Sequence, residues 1–175
     1  AEAIERATEA KLREAVAGRH TIHLACHGLA DQAYGNFFGA LALSPGPEAE
    51  TRPADDGFLT LGEIYGLDLS SCELAILSAC DTNYGPQQRG EGVLAISRGF
   101  LVAGSRRVVA SNWLVDDEAA ASLVGVYCGR LAQTEKKGEQ PDYAAALHAA
   151  QKWVRGQSKW KSPYYWGTFV LVGPN

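Results

Sequence analysis

The chain has no methionine at all, not even at position 1. The expectation from that absence is an excised or processed piece of a longer protein. It also lacks any run approaching the roughly 20 apolar residues of a membrane span. The opening AEAIERATEAKLREA is charged and alternating, without the apolar segment of a signal peptide. No basic stripe is present. Lysine and arginine number 16 against 20 aspartates and glutamates, a net charge of -4, which argues against nucleic acid as the main partner. Cysteine is scarce: Cys26, Cys72, Cys80 and Cys128 fit neither a disulfide framework nor a CxxC zinc pattern. Free thiols in a reducing, cytoplasmic compartment are the expectation.

What is present is a single domain's worth of chain, 175 residues of which 46% are apolar. Residues 2–17 carry Ile4, Leu12 and Val16 at multiples of four, a helical spacing, with Gly18 as its stop. Residues 20–26 form a short apolar run, predicted as a strand buried on both faces. Residues 37–43 and 73–79 predict two further strands. Thr60 and Glu63 stand at the spacing of a capping box, which predicts a short helix entering at Leu61. Beyond them the pattern predicts a helix over 91–103, a strand over 107–112, a helix over 117–131, a helix over 142–155 and a last strand at TFVLVG. SPGPEAETRPADDG (44–57) and QTEKKGEQP (133–141) read as exposed polar loops. Strands alternating with helices are the pattern of a mostly parallel sheet covered by helices.

Functional groups in an open parallel sheet gather at the carboxyl ends of its strands. His27 follows one such end and Cys80 another, in LAILSACDTNYG. On neighbouring strands about 4.8 Å apart, the two side chains project from one edge of the sheet. An imidazole beside a thiol takes its proton and later protonates a leaving amine. Backbone amides of Gly28 and Cys80 then serve as a candidate oxyanion hole. Two blander readings stand beside this one: a core cysteine with an unrelated polar histidine, and a zinc site at His23, Cys26 and His27. The zinc reading lacks a second ligand pair at the right spacing.

IHLACHG, LAILSACDT, RGEGVLAISRGFLVAGSRRVVASNW, WLVDDEAA and SPYYWGTFVLVG occur in this order. Together they resemble the CHAT domain, the caspase-like module related to caspases and separase, from about residue 19 to the C-terminus. The resemblance implies a caspase-like three-layer α/β sandwich with a mostly parallel central sheet. It implies a cysteine peptidase whose histidine and cysteine are His27 and Cys80, needing no metal or organic cofactor. It also implies a regulated role, of bacterial defence or cell-death type, exerted on a protein substrate. Such domains are commonly joined to sensor or repeat modules such as tetratricopeptide arrays. Two departures stand out. Only one helix precedes the histidine strand, where the family has a further strand and helix, so the N-terminal part of the full domain is expected to be missing. Asn112 stands where leucine is common.

Peptidases of this group cleave after a charged P1 side chain, and a basic P1 needs an acidic pocket. Asp81, Asp116 and Asp117 are the candidates. The last two follow a strand end, and the separase-like tryptophan motif implies one of them as the P1 reader. An aspartate opening a helix is also an ordinary N-cap. Glu91 reads as a helix cap, and Arg89 as a local ion-pair partner. Trp113, Trp166, Tyr164 and Tyr165 read as packing residues. Arg52, Arg89, Arg106-Arg107 and Lys136-Lys137, in segments read as exposed, are candidate self-cleavage sites. The alternative from another class is a non-catalytic interaction module that kept the fold.

Overall fold

The computed structural model describes residues 3–29, 39–47, 55–80, 82 and 96–175, with the backbone of 87–88 and 92–93. Its centre is a four-stranded sheet built from β1 (Thr21–Ala25), β5 (Leu74–Ser78), β8 (Val108–Ser111) and β9 (Phe169–Val172), in the order β1-β5-β8-β9. The first three run parallel and β9 returns antiparallel to β8. After β1 the chain leaves this sheet at Cys26. It then builds an antiparallel meander of β2 (His27–Leu29), β3 (Ala40–Ala42) and β4 (Phe58–Thr60). A short ribbon pairs β6 (Gln87–Gln88) with β7 (Gly92–Val93).

Helices cover both faces. Strand alternation sends Ala75 and Leu77 of β5, with Val108 and Ala110 of β8, to one side. There they pack with Leu12 and Val16 of α1 (Glu9–Val16), Ile64 of α2 (Leu61–Ile64), and Ile96 and Phe100 of α3 (Ile96–Val102). Leu74, Ile76 and Val109 face the other side. They meet Leu123, Val124 and Tyr127 of α4 (Asp117–Lys136), and Leu147, Ala150 and Val154 of α5 (Tyr143–Arg155). Each such side chain contributes about 1.5–3 kcal/mol on burial, so β5, buried on both faces, is the natural centre. The short α6 (Pro163–Trp166) leads into β9. The result is the three-layer, mostly parallel α/β sandwich anticipated from the sequence.

Four expectations change. β1 is buried on one face only: Ile22 is in the core, while Thr21, His23 and Ala25 are exposed on the α4 side. α4 lies over β5 and leaves β1 bare. The first helix starts at Glu9 rather than residue 2. Thr8 accepts a hydrogen bond from the Lys11 amide as N-cap, and Arg6 has φ 52°, outside helical geometry. Gly92–Val93 is strand, so the helix expected from 91 begins at Ile96. α4 runs on through residues 133–136, expected in a loop, to stop at Gly138 with φ 70°. The capping box of Thr60 and Glu63 is present, with both reciprocal bonds formed. Such a cap contributes about 1 kcal/mol. Residues 37–38, Arg52, Asp81, Arg89 and Glu91 lie outside the described residues.

Glu9 is fully buried and accepts a hydrogen bond from the Gly57 amide at 3.1 Å, pinning α1 to the turn before β4. Arg13 lies 3.5 Å from it and 3.5 Å from Glu63. Burial, reinforced by the charge of Glu63, lifts the Glu9 carboxyl to about 7 from 4.5. A carboxyl raised on folding favours the fold fully below its unfolded value, and that contribution is lost as pH rises through the folded value. Stability is therefore expected to fall between about pH 4.5 and 7. Glu9→Gln keeps an acceptor for Gly57 and carries no charge. It should abolish that decline and gain about 1–3 kcal/mol at pH 8, as read from urea midpoints across pH.

Candidate functional site

A cleft of about 600 Å³ opens where β1 and β5 end. Its floor is His23, Ala25, Cys26 and His27 from the β1 side and Ser78, Ala79 and Cys80 from β5. Its wall is α4, through Asp117, Ala120, Ala121, Val124, Gly125 and Cys128, with Val115 leading in. Ala25 pairs with Ser78 in the parallel register. His27 and Cys80 each lie two residues further on, so strand pairing alone carries both to the same end of the sheet.

Gly28 holds this junction together. A Cβ built on it would lie 2.0 Å from the Cys80 carbonyl oxygen, 3.0 Å from the carbonyl carbon and 3.2 Å from the Cys80 nitrogen. Any side chain there collides with backbone. The glycine is required so that the histidine strand can touch the cysteine turn.

The turn carrying Cys80 is clamped by a buried hydroxyl network not anticipated from the sequence. Ser111 Oγ donates to the Ala79 carbonyl. The Ser111 amide donates to Thr82 Oγ1 at 3.0 Å, and the Thr82 amide donates to Ser111 Oγ at 3.4 Å. The Ser97 amide of α3 donates to the Thr82 carbonyl at 3.0 Å. Thr82 and Ser111 are fully buried. Valine at 82 keeps the shape and deprives the Ser111 amide of its acceptor. Thr82→Val should cost about 1–3 kcal/mol of stability, measured by chemical denaturation.

Of the other thiols, Cys26 and Cys128 line the cleft and Cys72 is buried. Burial pushes Cys26 up to about 11 and raises Cys72 and Cys128 as well. These three hold their protons at neutral pH and are correspondingly poor nucleophiles. His23 Nε2 lies 2.7 Å from Ser78 Oγ on the cleft floor. The surrounding protein lowers the His23 pKa, so its ring is neutral at pH 7. No cluster of three metal-ligating side chains occurs among the described residues.

The two aspartates at the start of α4 part ways. Asp116 is the N-cap, accepting from the Ala119 amide at 2.9 Å. Asp117, one step round the helix, lines the cleft. Trp113 and Trp166 are half-buried rather than core: their indole N–H groups donate to the carbonyls of Tyr164 and Lys161. Tyr164 is 45% exposed, whereas Tyr165 and Trp166 pack on the α4–α5 core. Arg107 is buried, its guanidinium held by Glu73 and the Pro174 carbonyl and stacked on Tyr143. A protease cannot reach that residue in the folded domain, which removes it as a self-cleavage site.

A parallel-sheet α/β sandwich that gathers a histidine and a cysteine at adjacent strand ends is of the caspase-like class. Comparison with family models agrees: the CHAT domain model matches residues 1–174, and the chain belongs to the CHAT domain family. Among curated proteins it is similar to human tetratricopeptide repeat protein 28, at 27% identity over 125 residues. The mouse protein of the same name shows 28% identity over 125 residues. Each match covers 71% of this chain and 5% of the relative. No helix among the described residues is long and apolar enough to cross a membrane.

Proposed function

We propose that the chain is the peptidase domain of a regulated cysteine endopeptidase acting on a protein substrate. The observation that carries this reading is the meeting of His27 and Cys80 in one cleft, with Gly28, next to His27, packed against the Cys80 backbone. His27 takes the Cys80 proton as sulfur attacks the scissile carbonyl carbon, and returns it to the departing amine. Water, deprotonated by the same imidazole, then hydrolyses the thioester and frees the thiol. Backbone amides of Gly28 and Cys80 hold the developing oxyanion, worth about 3 kcal/mol per donor. Asp117 on the cleft wall suits a P1 arginine or lysine. No metal or organic cofactor takes part in these steps.

β1 ends the strand order β1-β5-β8-β9, and its outer edge, away from the cleft floor, suits a further strand from upstream on a parent chain. The tetratricopeptide repeats named in its relatives support a repeat or sensor module on that chain. Such a module makes the domain the effector of a regulated system, of the defence or cell-death type. The reading is tested with a peptide library carrying Arg or Lys at P1, supplied with the parent chain's activator. Wild-type protein should cut, while Cys80→Ala and His27→Ala should lose at least about 10³-fold in kcat/KM. A wild-type protein that cuts nothing under those conditions leaves the non-catalytic interaction module as the reading.

A further inference from the structure

The last 33 residues, Tyr143 to Asn175, contain four lysines and arginines and no aspartate or glutamate, while the preceding 142 carry twelve against twenty. The cations are Lys152, Arg155, Lys159 and Lys161, interleaved with Trp153, Trp160, Tyr164, Tyr165 and Trp166. The fold gathers several of them. The Arg155 guanidinium lies 5.4 Å from the centre of the Trp166 ring. Trp166 in turn donates its indole N–H to the Lys161 carbonyl at 3.2 Å. Arg155, Lys159, Lys161 and Tyr164 are all exposed.

This surface borders the cleft. Lys159 pairs with Glu118, the neighbour of Asp117 at the start of α4. Trp113, two residues before the cleft residue Val115, donates its indole N–H to the Tyr164 carbonyl at 3.0 Å. The mouth is thus acidic at Asp117 and basic immediately beyond it. Taking the peptidase reading as its basis, we infer that Arg155, Lys159, Lys161 and Tyr164 form a docking site for an acidic segment of the protein substrate, flanking the basic residue at which it is cut. A substrate of that charge pattern complements both surfaces at once. A nucleic acid fits less well. Its phosphates bring no basic group to meet Asp117, and three cations neutralise few of them.

The test uses the full chain as Cys80→Ala and a fluorescein-labelled peptide of Glu, Asp, Ser and Gly, read by polarisation. The paired Arg155→Gln/Lys161→Gln variant should weaken binding about fivefold at low salt. Raising salt to about 0.5 M should do the same to the parent. Lys161→Glu alone, at an exposed side chain, should match the pair. Glu118→Gln, which releases Lys159, should strengthen binding. Unchanged affinity in both the paired variant and Lys161→Glu overturns the inference. So does tighter binding of an oligothymidylate of equal charge. Binding through this surface by a protein whose Cys80-intact form cuts nothing supports the docking site and removes the peptidase reading.

Discussion

Gly28→Ala is expected to lower kcat/KM for peptide cleavage by at least about 10²-fold while leaving the domain folded. The added methyl would lie 2.0 Å from the Cys80 carbonyl oxygen. That distance is well inside contact range, and the obstacle is backbone rather than a flexible side-chain end. β2 must therefore move away from the cysteine turn by roughly 1 Å, a misplacement that costs about 10²-fold in a catalytic geometry. Stability should suffer less, by about 1–3 kcal/mol, the usual result of overpacking. Gly28 does not adopt a left-handed φ, so the effect is one of space rather than backbone strain. Gly129→Ala on α4 is the control: its added methyl meets nothing within 4 Å. Removing a mid-helix glycine there should gain about 0.5–1 kcal/mol and leave cleavage unchanged. Equal losses of activity in both variants would show that the Gly28 contact does not set the geometry.

The contact at Gly28 marks where sequence reading stops. His27 and Cys80 were legible as strand-end residues because β5, a continuous apolar run, is buried on both faces and announces its own carboxyl end. α5 was legible from its apolar period. The capping box of α2 was legible from two residues. The open face of β1 was not. Ile22 and Leu24 look the same whether or not a helix covers His23 and Ala25, and coverage is decided by where α4 lies. β2 and β4 span three residues each, too few for an alternation to register, whereas β3 falls inside the strand expected over 37–43. The pairing of Thr82 with Ser111 was not legible either, since only the fold brings residues 29 positions apart together. Ser162 before Pro163 was an available signal for α6, an N-cap followed by proline at the first helical position. Its aromatic run concealed that signal.

On the proposed P1 role of Asp117, the neighbouring aspartates give the second large effect. Asp117→Asn should lower kcat/KM for an Arg or Lys P1 substrate by about 30–150-fold, the cost of about 2–3 kcal/mol when a charge-assisted contact is lost. The same change should leave cleavage after an uncharged P1 within a few-fold, because the histidine, the thiol and the oxyanion donors are untouched. Asp116→Asn should leave cleavage after either kind of P1 residue unchanged. Asparagine caps a helix as well as aspartate, so the bond to the Ala119 amide survives and both activity and stability stay near wild type. Asp116→Ala removes the cap and should cost about 1 kcal/mol of stability with little change in P1 preference. The four measurements separate holding α4 in place from reading the substrate, two roles that sit about 100° apart around one helical turn. A P1 preference that shifts with Asp116→Asn and not with Asp117→Asn would reverse the assignment. A preference that shifts with neither would place the P1 pocket elsewhere on the cleft.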